Sequence, residues 1–377
     1  MIIYENLLYN QDIAHVTEIK FPWYKLQNRS IMISGATGLI GSFLIDVLLE
    51  KNTQDGLNCT VYALGRNKEK AMERFSKHAN NSHLIFIPYD VRLPLKIDNV
   101  GRVDYVLHLA ANTHPMLYAT DPIGTITTNL IGAQNMLEFS AQHNAVRFLL
   151  ASSNEMYGEN RGDVEFYDED YCGYINCNTL RAGYPESKRC SEALCQAYKQ
   201  QKGLDVVIAR LTRSYGPTMN MSDTKAVSQF IKRGVAGEDI ILKSEGTQYF
   251  SYTYMSDAVS GLLWVLLTGE NASSSIVCHP PIVYTEDMVS GVKDIDREHV
   301  MLTASPQVYN YELVLKYYEK AERENEHNFT FTSSLLIHYG ERVYFAKGTT
   351  NNIKITKKED LALFEALLSV PEELLYS

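Results

Sequence analysis

The sequence predicts an α/β protein built on a doubly wound parallel sheet, followed by an extra C-terminal α/β segment. Three observations predict it. Apolar runs of strand length alternate with stretches of helical periodicity between residues 30 and 268. A glycine-rich turn joins the first run to the first helix, and beyond residue 275 the alternation gives way to a different pattern. Strands alternating with helices make a parallel sheet covered on both faces.

Residues 1–28 read as an N-terminal extension, with a chain turn at Phe21-Pro22-Trp23. "SIMISGATGLIGSFLIDVLLE" is then a strand, a glycine turn and a helix, in which Phe43, Leu44, Val47 and Leu48 recur at helical spacing. "CTVYALG" is a second strand, and a charged helix follows from Lys68 to His78. "LIFIPYDV" and "VDYVLHLAA" are further strands, "DPIGTITTNLIGAQNMLEFSAQHN" is a helix, and "VRFLLASS" is another strand. A helix from about Tyr184 to Gln201 leads to "DVVIARL", the sixth strand, and "GLLWVLLTG" is the next helix. "GENASSS" at 269–275 reads as a linker, which closes a main domain at 29–275 and opens a terminal segment at 276–377. In that segment "YELVLKYYEKAERENE" is an amphipathic helix, and "NNIKITKKEDLALFEALL" is a strand and a helix with a capping box at Thr356 and Glu359.

Bulk properties narrow the function. The 377 residues carry a net charge of −10, which argues against a nucleic-acid surface. The apolar stretch at Leu262–Leu267 is far short of the roughly 20 residues a membrane span needs. The opening "MIIYENLLYNQD" shows no basic leader, and the six cysteines form no CxxC pair, so a cytoplasmic protein with reduced thiols and no metal site is expected.

The turn Gly35-Ala36-Thr37-Gly38-Leu39-Ile40-Gly41 lies between a strand and a helix near the start of a βαβ series. Glycines let the backbone close tightly there, and the helix N-terminus offers N–H groups and a positive dipole end to a pyrophosphate. The second strand ends at Gly65, where an acid would bind a ribose 2′-hydroxyl, and Arg66 follows. That pair suits a 2′-phosphate, so NADP is favoured over NAD, although Arg66 could instead stack on adenine or lie in solvent. Asp90 and Val91 are placed to reach the adenine edge, and Leu109, Ala110 and Ala111 to line the cofactor.

Tyr184 and Lys188 in "YPESK" lie four apart, on one helical face. A lysine beside a tyrosine lowers the phenol's pKa, and the phenolate can take a proton from a sugar hydroxyl as hydride leaves its carbon. Upstream, "SSNEMYG" sets Ser153, Asn154 and Glu155 at the end of a strand, where a parallel sheet faces its ligand.

GATGLIG, HLAA, "NLIGAQNMLE", SSNEMYG, YPESK and "RLTRSYGP" occur in an order that resembles the extended short-chain dehydrogenase/reductase family of nucleotide-sugar epimerases and dehydratases, over about residues 29–268. The resemblance implies a Rossmann-type NAD(P)-binding domain and a smaller lobe for a nucleoside-diphosphate sugar. It implies Ser153, Tyr184 and Lys188 as a catalytic trio, and Asn129 as the family asparagine or else a helix-packing amide. Glu155 occupies the place of a glutamate in 4,6-dehydratases and uronate decarboxylases, where simple 4-epimerases carry small residues. Asn154 stands where dehydratases of the dTDP-glucose type have an acidic proton donor, which argues against that particular dehydratase and leaves GDP-mannose-type or decarboxylase-like chemistry open.

Two departures from the family matter. Its diphosphate-binding arginine in "RSFxYVxD" is Phe250 here, while Arg213 takes the place of a family asparagine that touches the same diphosphate. The tail resembles the C-terminal part of the methylerythritol or ribitol phosphate cytidylyltransferases, with Lys354 at a phosphate-contacting position, yet that family's glycine-rich nucleotide loop is missing from the sequence. Cytidylyl transfer is not expected, and packing, dimerisation or substrate-lobe duty is. The leading expectation is an enzyme that oxidises a nucleotide sugar at C4, of the dehydratase or decarboxylase type, acting as a homodimer in surface polysaccharide synthesis. A 4-epimerase, a reductase and a non-catalytic NAD(P)-binding assembly protein are the alternatives.

Overall fold

The computed structural model describes residues 3–97, 100–113, 115–164, 167–219, 223–239, 251–277, 311–324, 335–336 and 338–340. Two compact units divide the chain, Met1–Thr285 and Glu286–Ser377.

Among the described residues, seven strands form the main sheet of the first unit: β1 (Ser30–Ser34), β2 (Thr60–Gly65), β3 (Leu84–Pro88), β4 (Tyr105–His108), β5 (Arg147–Ser153), β6 (Val206–Leu211) and, last in the chain, β9 (Ser274–Val277). Their order is β3-β2-β1-β4-β5-β6-β9, every pairing is parallel, and the reversal at β1 and β4 makes it doubly wound. A parallel ribbon of β7 (Arg213–Tyr215) and β8 (Tyr252–Tyr254) follows the end of β6.

The helices are α1 (Leu7–Glu18), α2 (Leu39–Asp55), α3 (Lys68–Arg74), α4 (Pro115–Thr120), α5 (Pro122–Gln142), α6 (Gly183–Lys202), α7 (Ala226–Ala236) and α8 (Met255–Thr268). On one face Phe43, Leu44 and Leu48 of α2 pack with Leu262, Leu263 and Leu266 of α8; on the other, Met136, Leu137 and Phe139 of α5 pack with Phe148, Leu150 and Ile208. Burying each such side chain contributes about 1.5–3 kcal/mol. Asp121 caps α5 by accepting from the Gly124 N–H at 3.0 Å, with Pro122 in the first turn, and Gly203 at φ 67° closes α6.

Two expectations change. The read linker 269–275 contains the start of β9, because Ile276 and Val277 extend the serine pair into a strand beside β6. The N-terminal extension belongs to the core: Tyr9, Ile13, Val16, Phe21, Trp23 and Leu26 are buried in the cluster that contains α2 and α8. Its polar groups are tied down as well. Arg74 Nη2 donates to Asp46 Oδ2 at 2.7 Å and to Tyr9 Oη at 2.7 Å, and Tyr4 Oη donates to Asp46 Oδ1 at 3.0 Å.

In the second unit, helix α9 (Tyr311–Glu324) matches the predicted amphipathic helix and buries Tyr317 and Ala321 with Leu335 and Leu336. The strand and helix read from "NNIKITKKEDLALFEALL", together with Lys354, Thr356 and Glu359, lie outside the described residues, as does Phe250.

Candidate active site

The carboxyl ends of β1, β4, β5 and β6 open into a cavity of about 450 Å³. Ligands bind parallel sheets at this edge and at this reversal of strand order. One wall is the glycine turn. Gly35 has φ 72°, and a Cβ there would stand 2.9 Å from the Ala110 nitrogen; a Cβ on Gly41 would stand 2.4 Å from the Gly35 oxygen. Only glycine satisfies both contacts. No side chain caps α2 at Gly38, and Leu39, Ile40 and Gly41 of its first turn line the cavity. A helix N-terminus presented to a cavity in this way fits a dinucleotide pyrophosphate.

Gly35, Gly38, Leu39, Ile40, Gly41, Leu109 and Ala111 line the cavity as read from the sequence, whereas Thr37, Arg66, Asp90, Val91 and Ala110 lie outside its lining. The Ala110 N–H donates to Ser34 Oγ at 3.3 Å, and Val91 is buried. Asp90 is engaged by Arg92, whose Nη2 donates at 2.6 Å; that hydrogen bond holds the carboxyl down at about 2, with Arg66 a smaller contributor. Arg66 itself is exposed just past β2.

The opposite wall carries the polar constellation. Ser153 ends β5 and its Oγ accepts from the Glu155 N–H at 3.2 Å, opening a 3-10 turn over Asn154–Tyr157. Tyr184 and Lys188 project from the first turns of α6, and both are buried. Burial pushes the Tyr184 phenol up, where the sequence predicts lowering by the adjacent lysine; the Glu155 charge adds to this, while a hydrogen bond with Ser153 and the Arg181 charge oppose it. Lys188 Nζ donates to the Ala151 carbonyl at 2.7 Å and lies 5.9 Å from the Tyr184 ring centroid. Burial lowers its amine to about 8, with Glu192 pulling the other way. Serine, tyrosine and lysine thus meet at one wall, as the sequence predicts.

Two residues the sequence reading passed over complete this wall. Arg181, in the turn before α6, donates from Nη2 to Glu155 Oε2 at 2.8 Å. Its guanidinium lies 4.9 Å from the Tyr118 ring centroid, and Tyr118 stacks on Tyr184 with centroids 5.2 Å apart. The available signal was position: Arg181 stands three residues before Tyr184, and Tyr118 just ahead of the Asp121 cap. Asn154 and Arg213 also line the cavity, Arg213 from β7. Asn129 is buried outside the lining, donating from Nδ2 to Ser187 Oγ at 2.9 Å, and ties α5 to α6 as a packing amide would.

Beneath the site, Arg210 of β6 donates to Glu192 Oε2 at 2.8 Å and to Tyr157 Oη at 2.9 Å, and Ser152 Oγ donates to Glu192. Arg189 donates to the Met156 carbonyl at 2.6 Å. These bonds lock the turn that carries Glu155 against α6. Chemically, the wall can pass a proton between a ligand hydroxyl and Tyr184, hydrogen-bond the same oxygen through Ser153, and offer a carboxylate nearby.

Comparison with known proteins agrees with this geometry. The NAD dependent epimerase/dehydratase family matches residues 31–278, and 2-C-methyl-D-erythritol 4-phosphate cytidylyltransferase matches residues 278–370. The chain is 34% identical over 268 residues to UDP-glucuronic acid decarboxylase 5 of Arabidopsis thaliana, covering 71% of this chain and 75% of the relative. It is 38% identical over 261 residues to UDP-glucuronic acid decarboxylase 1 of Xenopus tropicalis, covering 68% and 58%. Among solved structures, UDP-glucuronic acid 4-epimerase from Bacillus cereus, in complex with UDP-glucuronic acid and NAD, superposes with TM-score 0.54 at 25% identity, covering 66% of this chain and 77% of that one. dTDP-glucose 4,6-dehydratase from Streptomyces venezuelae shares the fold with TM-score 0.56 at 23% identity, covering 66% and 75%. With its glycine turn, its tyrosine–lysine helix and two thirds of its length matched, the chain belongs to the NAD-dependent epimerase/dehydratase family of enzymes.

Proposed function

We propose that this enzyme binds a nucleoside-diphosphate uronate, oxidises it at C4 and removes its C6 carboxyl group as carbon dioxide. The observation that carries this reading is Glu155, which lines the same cavity as Ser153 and Tyr184 and is held there by Arg181. Exchange of configuration at C4 alone has no use for a carboxylate at that place. The decarboxylase relatives, at 34% and 38% identity, support the same choice.

In this reading α2 holds the pyrophosphate of NAD or NADP by its first turn, with Gly35 and Gly41 allowing the approach. When bound, the dinucleotide supplies the hydride acceptor. Tyr184 takes the proton of the C4 hydroxyl, and Ser153 hydrogen-bonds the same oxygen throughout. A ketone at C4 makes the C6 carboxylate a β-keto acid, so the C5–C6 bond breaks with its electron pair delocalised onto the C4 oxygen. Tyr184 and Ser153 hydrogen-bond that oxygen, Glu155 delivers a proton to C5, and the hydride then returns to C4 as Tyr184 gives its proton back to the C4 oxygen. Arg213 receives the diphosphate, in place of the family arginine that Phe250 replaces.

The terminal unit serves packing or assembly. A homodimer is part of the proposal, supported by Ile123 and Ile131 exposed on α5 at 76% and 37%. Cytoplasmic location and a place in surface polysaccharide synthesis complete it. Among the described residues no helix is long and apolar enough to cross a membrane. Water elimination from C6 is the second reading, supported by the same glutamate, but Asn154 at the cavity lacks the acidic proton that would protonate a departing hydroxyl.

The test is incubation with UDP-glucuronate labelled at C6 and a catalytic amount of dinucleotide. Release of the label as carbon dioxide is expected. Recovery of all label in a nucleotide sugar inverted at C4 would replace the proposal by epimerisation.

A further inference from the structure

The family match begins at residue 31, so α1 stands outside it, yet α1 reaches the ribbon of β7 and β8. Tyr254 Oη, on β8, donates to Asp12 Oδ2 of α1 at 2.7 Å. The Tyr254 ring meets the Tyr215 ring edge-on, centroids 5.4 Å apart, and Tyr215 meets Tyr252 at 6.4 Å. The ribbon register pairs Tyr215 with Tyr254 and Arg213 with Tyr252, so alternation puts these four side chains on one face. At the inner end of that row Arg213 and Tyr252 line the cavity. The row therefore runs from a carboxylate on α1 to a guanidinium at the site.

We propose that Asp12 is a positioning residue for the substrate diphosphate, acting through Tyr254 and Tyr215 to hold the ribbon that carries Arg213. The inference rests on the reading of the cavity as a nucleoside-diphosphate site. Three features make α1 a fixed support. Asp46 of α2 and Arg74 grip Tyr9; Lys51 Nζ of α2 donates to the Thr17 carbonyl at 2.8 Å; and Ile13 and Val16 are buried against the core. The ribbon needs such support. Among the described residues it has two strands and three register pairs, and a two-stranded ribbon alone is marginal in water. Burial and the Asp12 charge raise the Tyr254 phenol, so it stays protonated and keeps donating.

The experiment measures affinity by calorimetry on the full chain, with UDP, dTDP and GDP as probes and NADH as the control. Asp12→Ala should weaken the diphosphate that binds by about threefold to tenfold, the scale of one hydrogen bond to a charged group, and leave NADH affinity unchanged. Asp12→Asn keeps an acceptor and should restore most of the affinity. Tyr254→Phe should match Asp12→Ala, and the double variant should lose no more than either alone. A purely structural role would lower the melting temperature without moving the diphosphate affinity, and that result overturns the inference. If none of the three diphosphates binds the unaltered chain, the reading of the cavity falls and the inference with it.

Discussion

Replacing Lys188 by methionine should stabilise the cofactor-free protein at neutral pH while abolishing its chemistry. The folded chain holds this amine at about 8 against an ordinary 10.5, because burial penalises the ammonium. That difference is about 3 kcal/mol of stability forgone wherever the amine must be charged, fully below pH 8. Between pH 8 and 10.5 the unfolded chain binds the extra proton, so this group's contribution makes stability rise with pH across that window. Methionine has similar length and no charge, but it leaves the Ala151 carbonyl without the lysine's donor, which costs about 1 kcal/mol. Lys188→Met should therefore be about 2 kcal/mol more stable at pH 7, and equal to or slightly less stable than the parent near pH 10. The assay is urea unfolding followed by tryptophan fluorescence, since Trp23 and Trp264 both lie in the first compact unit. A difference between the two proteins that stays constant from pH 7 to pH 10 would refute the reasoning.

Three further outcomes are expected. Tyr184→Phe should lower turnover by about a thousandfold, the scale of general-base catalysis, while dinucleotide affinity by fluorescence titration stays the same. Arg66→Ala should weaken NADP by about tenfold and NAD hardly at all, read by calorimetry, because only a 2′-phosphate gains from the guanidinium beside Gly65. Glu155→Gln should still oxidise C4 but stall afterwards, so reduced nicotinamide absorbance should persist in a rapid-mixing experiment; near-normal turnover without that absorbance would remove Glu155 from the chemistry.

The sheet was legible because its central strands are largely apolar runs and α5 has a marked start at Asp121-Pro122. The tyrosine, lysine and serine were legible because fixed spacing on a helix and a strand end fixes where side chains go. Other features were hidden because they depend on contacts distant in sequence. Nothing in the local pattern of α1 announces that Tyr9 reaches Arg74 or that Asp12 reaches Tyr254. The Arg181–Glu155 pair spans 26 residues, and only the fold brings it together. Strand β9 was read as linker because its first residues are serines, and its strand character comes from the neighbouring β6. Arg213 was anticipated by its position in "RLTRSYGP", but the ribbon that presents it was not, since three-residue strands carry too few residues to show a period.

The most direct test of oxidation at C4 uses a nucleoside-diphosphate uronate carrying deuterium at C4. Turnover with this substrate, mixed with an unlabelled substrate of distinguishable mass, is followed by mass spectrometry of the sugar product. The account predicts a primary isotope effect on the first step and return of the deuterium to the same sugar molecule, with no exchange into the unlabelled one. Single turnovers that show no isotope effect and no transient reduced nicotinamide would contradict oxidation at C4 and the role given to Ser153, Tyr184 and Lys188.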